Sequence, residues 1–359
     1  MAMSRRRLPS LLPARKRPGV RSRGHAGVAL AAVMVLALAA CGGDDDKPGK
    51  GGKGGAGPTN TASAVMLNGA WPLTGKKLDG DLPAHPVYVV KIDNTSSSAP
   101  QVGLDSADLI VEEMVEGGLT RLAVFYYQET PKTVGPVRSM RASDIGIVKP
   151  VSATVVASGA ARRTTARIEG AKITTTTEAQ GVGFFRDGGR SAPYNLFIQL
   201  SKIAAKPEKR WGAPENPYLT FGDASDFKGD VPVASIDASF SAGHTTRWEY
   251  GKGGWTRPDS YAETGKDFQP DNLLLLRVRT RDAGYKDPAG YPVPETVFSG
   301  RGQGVLVHGD KALKVTWAKA FRGSPLKLKL KNGNEVKVPV GRTWIELVPA
   351  NGGNVTLTK

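Results

Sequence analysis

Beyond residue 62 the chain reads as short apolar runs broken by polar, glycine-rich or proline-rich pieces. Val87-Tyr88-Val89-Val90-Lys91-Ile92 is nearly continuous in apolar side chains, the pattern of a buried strand, and Asp93-Asn94 follows at its carboxyl end. Residues 109–115 and 122–127 predict two more strands, and Glu116-Gly117-Gly118 between them predicts a tight turn, hence a hairpin. A helix is expected over 142–149, capped by Ser143 and stopped by Pro150. A strand over 154–158 and a helix over 160–169 follow. Pro207, Pro214 and Pro217 then mark a connection. Past residue 235 the rhythm changes to closely spaced strands at 273–278, 304–307, 313–317, 326–330, 336–340 and 344–348. Lys327-Leu328-Lys329-Leu330-Lys331 alternates with period two, and Asn332-Gly333 after it is a hairpin turn. The expected class is α+β or α/β. An N-terminal mixed α/β domain (63–205) and a connection (206–234) lead to a smaller, mainly antiparallel β domain (235–359), a small barrel or sandwich.

The front of the chain follows a different pattern. Residues 1–26 hold eight arginines and lysines and no acidic residue, and an apolar run from Gly27 to Ala40 ends in Leu38-Ala39-Ala40-Cys41. A basic start, a short apolar core and small residues before a cut make a secretory leader. The core is too short to span a bilayer, which takes about 20 residues. Cys41 is the only cysteine, and it stands where a lipobox places its thiol. The expectation is a lipoprotein signal peptide (1–40), cleavage before Cys41, and a diacylglyceryl group on Cys41 holding the protein at the outer face of the cytoplasmic membrane. Ser4-Arg5-Arg6-Arg7-Leu8 raises the twin-arginine route as well, but it lies about twenty residues ahead of the apolar core, and general secretion is favoured. Residues 41–62 read as a flexible glycine-rich tether.

The leader changes the meaning of the charge. The chain is formally +16, and eight of those charges leave with residues 1–40, so about +8 remains. Nucleic acid is not expected as a partner outside the cytoplasm. The residual charge points instead to anionic headgroups, wall polymers or phosphate-bearing ligands.

The familiar catalytic patterns are absent from the sequence. His85, His244 and His308 are far apart, and no HExxH, P-loop or GxSxG occurs. No metal or cofactor is expected. Ser324 and Lys327 satisfy SxxK but begin the alternating strand, and Gly300–Gly304 reads as a turn before a strand. What remains is arginine in turn-rich loops: Arg121, Arg138, Arg141, Arg186 and Arg190, with Arg162-Arg163 opening a helix. Guanidinium binds carboxylate or phosphate through two parallel hydrogen bonds. Asp93, Asn94, Asp108, Glu112, Glu116 and Asp187 supply polar partners in the same half. These residues either line a site for an anionic ligand or pair with one another and pin the loops.

Several longer motifs bring a family into view: Lys91-Ile92-Asp93-Asn94, Pro100–Leu104 with Ala107-Asp108, Val115–Arg121, Gly135–Arg141, and Arg186-Asp187 with Arg190–Leu196. With Trp317 and Gly341–Leu347 in the second half, the chain resembles the YerB-like lipoproteins of domain of unknown function (DUF) 3048. It differs from that pattern at Val111, where tyrosine is usual, and at Tyr194, where histidine is usual. The resemblance implies a two-domain secreted lipoprotein and no established activity. The expected function is an envelope binding or regulatory module that recognises an anionic ligand. One alternative is an enzyme on polyprenyl-phosphate-linked wall precursors, since the order of Asp93, Asp108 and arginine-bearing loops is similar to the LytR-CpsA-Psr phosphotransferases. Another is a scaffold docking an envelope partner through a face with Lys311, Lys314, Lys327, Lys329 and Lys331.

Overall fold

The computed structural model describes residues 69–206 and 212–359. The leader, Cys41 and the tether expected over 41–62 lie outside the described residues, as does part of the proline-rich connection.

The N-terminal half contains β1 (Tyr88–Asp93), β2 (Leu109–Met114) and β3 (Thr120–Tyr126), then α1 (Asp144–Val148) and β4 (Thr154–Ala157). It continues with α2 (Arg162–Gly170), β5 (Thr175–Thr177), β6 (Phe184–Arg186), β7 (Leu196–Ile198) and α3 (Leu200–Ala204). The hairpin expected at Glu116-Gly117-Gly118 forms, with both glycines at positive φ, and β2 and β3 pair antiparallel from Leu109↔Phe125 to Met114↔Thr120. Ser143 precedes α1 but does not cap it with its side chain. Its Oγ accepts the Thr296 backbone N–H at 2.9 Å and ties the helix to the second half.

That second half opens with two short strands, β8 (Phe221–Gly222) and β9 (Val231–Pro232), and then β10 (Ser235–Ser241), β11 (His244–Gly251) and β12 (Gly254–Thr256). The long strand β13 (Asn272–Lys286) is followed by β14 (Pro292–Val297), β15 (Gly300–His308) and β16 (Lys311–Lys319). Last come β17 (Lys327–Lys329), β18 (Glu335–Val336), β19 (Val338–Pro339), β20 (Thr343–Pro349) and β21 (Asn354–Thr358). The glycine run at 300–304 is itself strand. A Cβ on Gly302 would come within 2.5 Å of the Arg277 carbonyl oxygen and the Trp317 indole nitrogen, so glycine there lets neighbouring strands approach.

The expected separation into an α/β domain and a β domain is where the structure differs. One mixed sheet runs β18-β17-β16-β15-β13-β20-β2-β3-β1-β4-β5 through both halves, and strand dominates over helix throughout. The junction is β20, parallel to β13 on one side (Leu273↔Trp344) and to β2 on the other (Glu112↔Glu346). Parallel pairing at long sequence separation leaves no turn signal in the sequence, so patterning alone could not reveal it.

A smaller sheet, β12-β11-β10-β21, covers one face of the large one. Val90, Ile92, Ile110, Val124, Trp344 and Val348 of the large sheet meet Ile236, Phe240 and Trp248 of the small one in a single apolar layer. Trp344 meets Trp248 nearly edge-on, with ring centroids 5.1 Å apart, and Arg257 stacks on the Trp344 ring at 4.3 Å. The opposite face packs Val89, Val111, Phe125, Ile145, Ile147 and Ile168. The outer parts of β13 and β14 form a hairpin arm that leans on α2. Arg163 donates to the Gly284 carbonyl, and the Thr164 and Tyr285 hydroxyls lie 2.7 Å apart.

Because β20 joins the halves, damage to it should reach both. Trp344→Ala is expected to lower the unfolding free energy by about 3–5 kcal/mol. Hydrogen exchange should report the loss in β2–β3 and in β13–β15 alike; a loss confined to 272–358 would show that the halves are uncoupled.

Candidate functional site

Three strands carry polar doublets at one end of the large sheet: Asp93-Asn94 at the end of β1, Glu112-Glu113 in β2, and Thr120-Arg121 at the start of β3. Successive strand side chains point to opposite faces, so each doublet divides. Asp93, Glu113 and Arg121 go to the face that carries α1. Asn94, Glu112 and Thr120 go to the face beneath the small sheet.

On the first face Lys91 is wholly buried between Glu113, at 2.8 Å, and Asp144, at 2.7 Å. Burial and the Asp144 charge push the Glu113 carboxyl above its ordinary range, against the pull of Lys91. Three arginines crowd beside this buried group. Arg141 holds Glu116 with a two-pronged contact at 2.6 and 2.8 Å. The Nε of Arg138 lies 2.9 Å from Asp93 Oδ2, although its N–H is not aimed well enough to make a hydrogen bond. Asp93 Oδ1 accepts from the backbone N–H and the hydroxyl of Thr95. Arg121 is the exception. It is only 6% exposed, its Nε has no acceptor, and its guanidinium donates only to the Ser139 carbonyl, at 3.2 Å. Among the described residues no carboxylate comes within ion-pair distance of it. Burial, with Arg141 and Arg138 alongside, lowers it to about 10.

The second face holds a pair of carboxyls. Glu112 and Glu346 are direct neighbours across β2 and β20, and both are fully buried. Glu112 Oε1 accepts from the Asn94 amide at 3.0 Å and the Thr246 hydroxyl at 2.9 Å, and it lies 3.1 Å from His244 Nε2. Burial opposes its charge, but His244, Thr120 and Arg257 overcome that and hold Glu112 at about 2. Glu346 accepts the Trp248 indole N–H at 2.8 Å, and burial beside the Glu112 charge raises it well above the usual carboxylate range. Among the described residues the second oxygen of each carboxyl has no hydrogen-bond donor, an arrangement that a proton on Glu346 shared toward Glu112 would satisfy. Beyond His244 lies a polar cavity of about 440 Å³, lined by Asn94, His244, Thr246, Arg257, Asp259 and Tyr261 among others.

The remaining candidates are placed elsewhere. Asp108 precedes β2 and accepts from the Tyr127 and Gln128 backbone N–H groups and from the Gln128 amide. Burial raises it to about 6 in spite of those bonds. Asp108 and Glu113 sit at opposite ends of a strand rising roughly 3.3 Å per residue. The Asp93–Asp108 pair that metal-assisted phosphoryl transfer would use therefore does not assemble, and Asp93 is already paired with Arg138. Arg186, Asp187 and Arg190 belong to the β6–β7 hairpin. Arg186 binds Glu178, and Arg190 pairs with Asp187 and donates to the Ser98 and Pro100 carbonyls, so these residues pin loops. The hairpin reaches the arginine cluster through Tyr194, whose ring lies under Arg138 at 5.2 Å. Lys91, Glu113, Asp144, His244 and Glu346 were not singled out from the sequence. A signal was present in three of them: Lys91, Glu113 and Glu346 are charged residues inside otherwise apolar strands, which globular cores tolerate only when the charge is paired or neutralised.

The carboxyl pair carries a pH signature. Folding favours the protonated form of Glu346, so stability is lost as the pH rises above its ordinary 4.5, where the unfolded chain releases a proton that the folded chain keeps. Glu112 acts in the opposite sense and loses its contribution only as the pH falls toward about 2. Glu346→Gln keeps a neutral side chain without the titration. Urea unfolding from about pH 5 to about pH 8 should show a flatter decline for the variant than for the parent; identical slopes would place the proton elsewhere.

Relatives of the chain are found in sequence and in structure. It is 24% identical over 296 residues to a Bacillus subtilis (strain 168) protein named "Putative lipoprotein YerB", an alignment covering 77% of this chain and 86% of that one. The crystal structure of YerB protein from Bacillus subtilis superimposes with a TM-score of 0.66 at 21% identity, covering 80% of this chain and 99% of that one. Residues 73–214 match the N-terminal domain, and residues 236–345 the C-terminal domain, of the protein of unknown function DUF3048. With both domains present in order, the chain belongs to the DUF3048 family.

Proposed function

We propose that the chain is a lipid-anchored envelope protein whose folded part binds a phosphate- or carboxylate-bearing ligand at the Arg121–Arg138–Arg141 cluster. The observation that carries this reading is Arg121: a buried guanidinium with an unsatisfied Nε, no carboxylate partner, and two further guanidiniums beside it. Burying an unpaired charge costs several kcal/mol, and like charges nearby add to the cost. An anion drawn between the three arginines would offset both. The anchor rests on the lipobox-like Leu38-Ala39-Ala40-Cys41 and on a relative whose name describes a lipoprotein. Export of this kind would place the arginine cluster at the outer face of the cytoplasmic membrane, where lipid-linked phosphates and wall fragments occur.

Two variants of the full chain test the reading by calorimetry against undecaprenyl phosphate and muropeptides. Arg121→Met removes an unpaired charge, so its thermal stability should hold or rise while its affinity falls at least about tenfold, or 1.4 kcal/mol. Arg138→Ala should weaken binding in the same direction. Unchanged affinity in both variants, or binding of neither ligand by the parent, would assign the arginines to loop pinning alone.

A further inference from the structure

A second cationic centre lies away from the arginine cluster, where α2 meets β14 and the β16–β17 loop. Its base is Glu295, a carboxylate only 1% exposed. Arg167 grips it at 2.9 and 2.5 Å, Arg281 at 2.9 and 3.0 Å, and Arg322 reaches it at 3.1 Å. One negative charge faces three positive ones. Structural pinning needs a single partner, and the surplus guanidinium charge is left at the surface. Arg167, Arg322 and Lys149 line an open cavity of about 490 Å³, and Ile145, Ala171 and Phe321 form its apolar part. Glu295, held by the arginines, and Glu169, the other acidic residue nearby on α2, are not among its lining residues.

Two details give this cavity a direction. Phe321 is 66% exposed, the most exposed of the large hydrophobic side chains among the described residues, and it stands next in sequence to Arg322. The loop that presents it is braced rather than loose: Lys319 donates to the Ser324 carbonyl at 2.6 Å, and the Ser324 hydroxyl accepts the Phe321 N–H at 3.1 Å. Gly323 keeps the mouth clear, since a Cβ there would sit 3.3 Å from the Phe321 ring and 3.4 Å from the Lys149 side chain. Lys149 donates to the Ala171 carbonyl at 3.2 Å, and the guanidiniums share one carboxylate, so the cavity keeps a net positive charge. An aromatic side chain held out on a fixed loop beside such a cavity matches a surface with anionic groups at its boundary and hydrocarbon beneath.

We infer that this face docks on anionic phospholipid, with a headgroup phosphate among Lys149, Arg167 and Arg322 and the Phe321 ring inserted below it. The contact needs neither the acyl anchor nor the arginine cluster at Arg121. It would fix how the folded part stands against the membrane.

Hydrogen exchange of the 319–325 loop tests the inference locally. The full chain is mixed with vesicles of phosphatidylcholine alone, or of equal parts phosphatidylcholine and phosphatidylglycerol, and in a third arm with inorganic phosphate. Docking predicts protection of the loop on the anionic vesicles only. Arg322→Ala should weaken that response about fivefold, as expected for one basic residue near such a surface. Phe321→Ser, at an exposed position where folding is safe, should abolish the protection. Arg121→Met should leave it intact, which separates this docking from the ligand site. Equal protection on both vesicles, protection on neither, or full protection by inorganic phosphate would each overturn the lipid assignment.

Discussion

The insertion of β20 between β13 and β2 is the constraint on which the rest of the molecule depends. It closes what would otherwise be two open sheet edges into one surface, and it does so with parallel pairing on both sides. Trp344 is thereby carried into the layer between the sheets, and Glu346 is set against Glu112. Without that strand β2 would expose an unpaired edge, and the apolar layer beneath the small sheet would lose its central aromatic. The two matched family segments are thus separate in sequence but interlocked in space.

Strand alternation then does much of the functional sorting. Each of the doublets Asp93-Asn94, Glu112-Glu113 and Thr120-Arg121 sends one side chain to each face, so one short stretch of sheet builds two polar centres. On the α1 face the result is an uneven collection of charge: among the described residues two arginines are paired with carboxylates, and Arg121 donates to a backbone carbonyl. Under the small sheet the result is balanced, because burial beside Glu112 favours the neutral form of Glu346 while Asn94, Thr246 and His244 serve Glu112. The difference separates the two roles. A centre satisfied from within specifies the fold, whereas the cluster around Arg121 leaves a buried guanidinium nitrogen without an acceptor, the feature on which the proposed anion site rests.

The surplus of arginine recurs around Glu295, again with more guanidinium than carboxylate. Both places lie on the α1 side of the large sheet, where α2 and the β13–β14 arm are fastened together. The faint likeness to metal-dependent phosphotransferases does not extend to the geometry, since Asp93 is held by Arg138 and Asp108 binds backbone N–H groups at the far end of β2.

The sequence by itself determined the local elements. Period-two alternation, glycine turns and proline stops located β1 to β4, the β2–β3 hairpin, α1, α2 and, in the second half, β13, β15 to β17 and β20, but none of the small sheet, because such signals act between near neighbours. It also named Arg121, Arg138, Arg141, Asp93, Glu112 and Glu116, since arginine in turn-rich loops is visible without a fold. Family membership was legible too, through motifs that run in a fixed order. Only the tertiary structure decided that the halves share one sheet, that Glu346 meets Glu112, and that Asp108 stands apart while Arg121 is left unpaired. Those outcomes depend on which strand lies beside which, a choice made by burial across more than 200 residues of chain, and an apolar run carries no mark of its partner.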